Sequence, residues 1–421
     1  MFQSGAQFMI LAALVGLLLM REARQAPLSG IDETFADFLA INARRTEEVA
    51  PVTLVGIDES SLKERPWPWS PVDFALFFQP AEIFKPSVLA TDEILAWDVK
   101  RLPPETARKL PQYQKILREH VLRAPKVLLA ARLGFPEDPS MPPPIQETPV
   151  LRHTVGDLNS IPEFTAIEAQ AHEDFRLSSV TGFTNLPRAT RFTRTVPLVF
   201  RYHGQVVPSF VLQAILMWEK LTPDDVVVEP GVAVTLAGRV PIPIDRAGRM
   251  RVDFGVRRQR CGFDEMVLAS DQIEHGRQPI IPRDSLTDNF VLLARTDHEA
   301  QTLNFAPTRK GSPGELFVAA IGTIQKRSFI KRFPEWFDFA VIIIMTLIAR
   351  ACRRWHKLTT LVLMLVAAAA YVMVAITLFG QSLVWLPAVL PAGLAIFIVL
   401  FRLATPGIES KWDLPPKEYR H

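Results

Sequence analysis

Two short acidic pairs stand where chemistry could happen. Asp58-Glu59 closes the apolar run VTLVGID (52–58), and Asp92-Glu93 closes the run SVLATD (87–92). Each run has the form of a strand buried on both faces. Ligands of open parallel sheets sit outside the carboxyl ends of the strands. If the two strands are neighbours, their acids converge there and could grip a cation or a hydroxylated or amino ligand. A purely local reading stands beside this one: Asp58 caps the following turn through Ser60 and Ser61. A few residues on, Pro66-Trp67-Pro68-Trp69 makes a rigid aromatic corner. It is either a shelf for a ligand or partner, or core packing over the sheet edge with the indole N–H groups met locally. The candidate ligand-binding set is therefore Asp58, Glu59, Trp67, Trp69, Asp92 and Glu93.

Catalysis is hard to support, and an enzyme using Asp58 and Asp92 is the least favoured reading. The eight histidines fall in no HExxH or HxH pattern, and there is no Gly-Lys phosphate loop and no G-x-S-x-G. No catalytic residue, no metal site and no cofactor is assigned, and the chain is expected not to be an enzyme. Asp297-His298-Glu299 are adjacent, so their side chains point different ways. The two cysteines, Cys261 and Cys352, are too few for a four-ligand structural zinc site. Arg188, Arg191, Arg194 and Arg201 could meet an anion, but their irregular spacing in a strand-rich stretch suits a solvated face. No Lys/Arg block carries interleaved aromatics, so nucleic acid is not expected as a partner.

The elements that must position these residues read as α/β. After Asp92 comes a helical stretch, 106–123, which Pro111 is expected to split, and then the strand KVLLAAR (126–132). Strand, helix, strand, helix, strand implies parallel pairing with right-handed crossovers. Residues 133–163 are proline-rich and read as a loop. The second half reads as short strands at 180–185, 194–202, 232–236, 240–244 and 250–254 with turns between them. It adds a helix opened by Pro208-Ser209, the buried strand NFVLLAR (289–295) and a helix over 315–324.

Four apolar runs frame this domain: 6–20, 336–349, 358–379 and 383–401. A bilayer core of about 30 Å needs roughly 20 apolar residues in a helix. The basic loop 350–357 (RACRRWHK) marks the cytoplasmic side. Lys326, Arg327, Lys331 and Arg332 then fall outside, tolerated because long domains cross regardless of charge. The run 6–20 is either an anchor or a cleaved signal peptide. MFQSGAQ has no basic n-region and ARQAP is a poor cleavage site, which favours the anchor. Asp338, early in the second run, reads as an interfacial acid. The expected fold class is α/β, a mixed-sheet extracytoplasmic domain plus four transmembrane helices, one N-terminal and three C-terminal. The expected segments are an anchor (1–24), the domain (25–333), three helices (334–403) and a short cytoplasmic tail (404–421).

One resemblance gathers these pieces. Ile57-Asp58-Glu59-Ser60-Ser61-Leu62 followed by Pro66-Trp67-Pro68-Trp69-Ser70 resembles the signature of the second CHASE family, extracytoplasmic sensory domains of bacterial cyclases and kinases. Ala90–Leu95, Thr181–Phe183, Arg194–Leu198, Gly204, Pro208-Ser209 and Asp245–Phe254 follow in the family's order. The resemblance covers about residues 30–325, plus the plan of one anchor before the domain and three after it. Ala294–Arg309 lacks the family's glycines, and no cyclase, kinase or phosphatase follows the last helix. The resemblance implies a sensor-like, non-enzymatic signalling or regulatory subunit in the bacterial inner membrane, with its main domain periplasmic or extracellular. Its expected partners are membrane lipid, a separate membrane or cytoplasmic signalling protein, and a second copy in a homodimer. The alternative is a structural scaffold subunit of an envelope complex.

Overall fold

The computed structural model describes residues 5–22, 28–43, 48–135, 149–187, 192–306, 309–352 and 357–404. Residues 136–148 of the proline-rich stretch, Arg188 and Arg191, the middle of the basic loop at 353–356 and the tail from 405 lie outside the described residues. The chain divides into two compact units, one of residues 46–330 and one of residues 1–45 with 331–421.

The larger unit is built on a seven-stranded mixed sheet. Its strands are β1 (Val49–Ile57), β2 (Val88–Thr91), β3 (Val127–Gly134), β4 (Ala166–Gln170), β5 (Val180–Phe183), β6 (Arg257–Gly262) and β7 (Phe290–Arg295). The order is β6-β1-β7-β2-β3-β4, with β5 also paired to β3. All pairs are parallel except β3–β4. Apolar runs form these strands because both faces are covered. Ala50, Val52 and Leu54 of β1 join one core, and Val55 and Ile57 join the other. Helices α4 (Pro71–Phe78), α5 (Pro104–Arg123) and α7 (Phe263–Glu274) supply Phe74, Phe77, Leu117, Val121 and Phe263 to the second core. On the opposite face lie α6 (Phe210–Glu219), capped by Ser209, and α8 (Pro313–Gln325), capped by Ser312. They bring Phe210, Ile215, Phe317 and Ile321 to the first core.

Three expectations change here. The strands carrying the two acid pairs are not neighbours, because β7 lies between β1 and β2. Its apolar run FVLLAR matches both in register, with Leu292 opposite Leu54 and Ala90. Pro111 does not split its helix; α5 runs unbroken from Pro104 to Arg123 with Pro111 inside. The cost of the missing N–H is offset by the packing of Leu110, Leu117 and Val121, all buried. The stretch 194–202 forms two strands, Thr195–Pro197 and Val199–Tyr202, that pair with different partners.

The smaller unit is helical: α1 (Gly5–Glu22), α2 (Leu28–Asn42), α9 (Glu335–Cys352), α10 (Lys357–Ser382) and α11 (Val389–Ala404). Among the described residues, α10 is the one helix long and apolar enough to cross a membrane. At 26 residues and about 1.5 Å per residue it spans about 39 Å. Asp32 of α2 caps α11, its Oδ1 accepting from the Ala388 and Val389 N–H groups at 2.8 Å each. Arg332 stands between two buried acids, 3.7 Å from Asp32 and 3.8 Å from Asp338.

Candidate functional site

A polar cavity of about 430 Å³ opens at the carboxyl ends of β2, β3, β5 and β7. Asp92 and Glu93, which follow β2, form one wall. Arg132 of β3, Thr184, Asn185 and Leu186 after β5, and Arg295 at the tip of β7 form others. Ala300, Gln301, Pro313 and Phe317 complete the lining. The topology places the cavity there: parallel strands deliver their carboxyl-terminal residues to one edge, and α8 begins against that edge.

Gly314, in the first turn of α8, permits this approach. A Cβ on it would lie 2.2 Å from the Ala294 Cβ and 3.0 Å from the Asp92 carboxylate. Any other residue would push the helix off the strand ends.

One oxygen of Asp92 is left without a partner. Its Oδ1 is buried and accepts no hydrogen bond from the protein. Burial raises this carboxyl well above the ordinary range, and the charge of Glu93 adds to the effect. Burial raises Glu93 too, against the pull of Arg295. The Glu93 N–H donates to the buried Thr91 hydroxyl at 3.2 Å, which sets the turn after β2.

The cations opposite are engaged to different degrees. Arg295 donates through Nε and Nη2 to both oxygens of the buried Asp297 carboxylate, at 2.9 and 2.6 Å. Burial alone would raise Asp297, but Arg295 outweighs it and holds this carboxyl below its usual range. The guanidinium of Arg295 also lies 4.6 Å from the centre of the Trp67 ring, a cation–π contact. Arg132 is looser. More than half its side chain is exposed, and its carboxylate neighbour Glu168 is 3.6 Å away. Thr184 and Asn185 bond to the β3 backbone at Ala131 and Leu133, so they shape the wall rather than stand free.

The sequence-derived candidates therefore separate. Asp92 and Glu93 line the cavity. Trp67 supports it from behind through Arg295. Asp58 instead caps helix α3 (Glu59–Glu64), accepting from the Ser60 and Ser61 N–H groups at 3.0 and 3.1 Å. Burial would raise this carboxyl, but the serine hydrogen bonds win and hold it low. Glu59 accepts from the His298 N–H at 2.8 Å and braces the loop after β7. Trp69 is core: it is buried, its ring centre is 4.6 Å from that of Phe263, and its indole N–H donates to the Arg65 carbonyl. The Trp67–Pro68 peptide is cis. Arg132, Arg295 and Gln301 escaped the sequence reading. The available signal was that the runs KVLLAAR and NFVLLAR both end in arginine.

Among the described residues no three His, Cys, Asp or Glu side chains gather as a metal site. Cys261 is partly buried, and burial pushes its thiol up to about 12, with Glu265 adding to the shift.

A doubly covered, mostly parallel sheet with a polar cavity at its strand ends defines an α/β domain with room for a small molecule. The family model of the CHASE2 domain matches residues 9–351 of the 421, and the chain belongs to that family of sensory domains. Neither a curated protein nor a solved structure matches the chain.

Proposed function

We propose that this protein is a membrane-anchored extracytoplasmic sensor that binds a small polar ligand in the cavity at Asp92, Glu93, Arg132 and Arg295. The observation that carries the reading is a ligand-sized cavity at strand carboxyl ends whose buried Asp92 Oδ1 has no partner in the protein. Helix α8 offers the route out. Its first residues border the cavity, and six residues beyond its end the chain enters the helical unit at Lys331. A ligand shifts such an equilibrium only through its different affinity for the two states.

Four membrane helices, α1, α9, α10 and α11, are part of the same proposal. Large apolar side chains point outward on each: Ile10 and Leu14, Ile343 and Leu347, Leu365 and Met373, Ile396 and Leu400. Such faces suit lipid. The basic residues on the outer side also lose their force against this topology, since Arg332 has two acidic neighbours and Lys326 pairs with Glu48 at 3.0 Å. Pairing of two chains and a separate protein that reads the signal in the cytoplasm belong to the proposal, as does the absence of chemistry of its own.

A thermal-shift screen of the full-length protein in mild detergent against small polar metabolites tests it. The expected result is at least one compound that raises Tm in the wild type and not in Asp92→Asn or Arg132→Gln. Hits indifferent to both changes, or no hits, would overturn the sensing site and favour a scaffold subunit.

A further inference from the structure

The cavity's charge pattern says more about the ligand than its position does. We infer that the ligand is a small organic ammonium compound, its N–H groups held by Asp92 and Glu93 and its methylene stem lying along Phe317 and Leu186. This rests on the sensing-site reading above and narrows it to one chemical class.

Three facts lead there. First, the free valence in the cavity is acidic. Asp92 presents an oxygen with no partner, and Arg295, which acts on Glu93 through its charge, spends two N–H groups on Asp297. An ammonium group brings three donors to these acceptors and removes the cost of an unpaired buried carboxylate. Second, an anion is a poor fit. Arg295 is already neutralised, and Arg132, with Glu168 at 3.6 Å, is left to oppose two carboxylates. Third, a bare divalent ion is a poor fit. Calcium wants six to eight oxygens, whereas the acids here are two sequence neighbours facing two guanidiniums, and among the described residues no third Asp, Glu, His or Cys joins them. Phe317 and Leu186 supply apolar wall that a metal ion would not use and a carbon stem would.

The class has two sources. A plain amine would use the acids alone. An amino-acid zwitterion would also place its carboxylate on Arg132, the guanidinium with the weaker partner, within reach of Gln301.

Isothermal titration calorimetry on the full-length protein in detergent separates these outcomes, with 1,4-diaminobutane, L-lysine, glutarate, glucose and calcium chloride as probes. Binding of 1,4-diaminobutane or L-lysine is expected, weakened at least tenfold in Asp92→Asn and in Glu93→Gln. Both variants keep side-chain shape, and an unchanged or higher Tm shows that they fold. L-lysine binding in the wild type that is lost in Arg132→Gln, with diaminobutane unaffected, identifies the zwitterion arm; diaminobutane binding equal in the two proteins, with no lysine binding in the wild type, identifies the amine arm. Ammonium binding that survives in both acid variants would overturn the assignment to this cavity. Binding of glutarate, glucose or calcium alone, lost in the same variants, would overturn the ammonium class and leave the sensing site standing. Silence from all five probes would also overturn the class, while the broader metabolite screen decides the site.

Discussion

Two acid pairs that look alike in the chain meet opposite fates. Asp58-Glu59 and Asp92-Glu93 each close an apolar parallel strand. After β1 the chain turns at once into a helix, and Ser60 and Ser61 take up the Asp58 carboxylate. After β2 no such serine follows; Thr91 lies one residue earlier and bonds the Glu93 backbone instead. Asp92 is left facing a cavity. Position at a strand end does not make a site. A site arises where the local backbone fails to consume the polar group, because every unmet buried carboxylate carries a cost that only a ligand or a proton removes.

Four changes would break or sharpen that contrast. The largest effect is expected at Arg295, which walls the cavity and neutralises Asp297. Arg295→Ala leaves a buried carboxylate, 1% exposed in its side chain, without its cation. A loss of about 3–5 kcal/mol is expected in urea denaturation, with much of it recovered in the double variant Arg295→Met, Asp297→Leu. Next comes Asp58→Ala, which removes a helix cap. It should cost about 1–2 kcal/mol and leave ligand affinity unchanged; a drop in affinity would mean the two pairs act together.

The third effect concerns pH and has opposite sign at the two aspartates. Asp58 sits below its unfolded value in the folded state. Its contribution is present above about pH 4 and fades as pH falls through the folded value. Asp92 sits above its unfolded value, so the folded state holds the extra proton. The ligand-free protein should therefore lose stability as pH rises from about 4 through the folded value of Asp92. Glu93 acts in the same sense, while Arg295 opposes it. Thermal melts across pH 4–8 should show that fall in wild type and a flatter profile in Asp92→Asn. The smallest change is Glu59→Gln. This exposed carboxylate meets His298 at the surface, and no measurable shift in Tm is expected.

Much of the fold was legible because burial on both sheet faces writes itself as unbroken apolar runs. VTLVGI, VLAT, VLLAA and FVLLA all became strands. What the runs do not carry is order. β7 is far from β1 and β2 in sequence yet lies between them, and nothing local distinguishes it from its neighbours. The error at the two acid pairs follows from that single insertion. The same insertion brings Arg295, remote in the chain, to the edge where Asp92 and Arg132 already stand. The capping role of Asp58 was legible from the two serines after it. The openness of Asp92 was not, since it depends on α8 arriving at Gly314 from more than two hundred residues downstream. Pro111 misled for a related reason: a helix packed against a sheet by Leu117 and Val121 withstands one missing hydrogen bond.

Carbodiimide reactivity tests the contrast most directly, because activation of a carboxyl requires both access and a proton. Full-length protein treated at pH 7 with a water-soluble carbodiimide and glycine ethyl ester, then digested and read by mass spectrometry, should be modified at Asp92 or Glu93 well before Asp58. Faster labelling of Asp58, or equal labelling of the two pairs, would contradict the account.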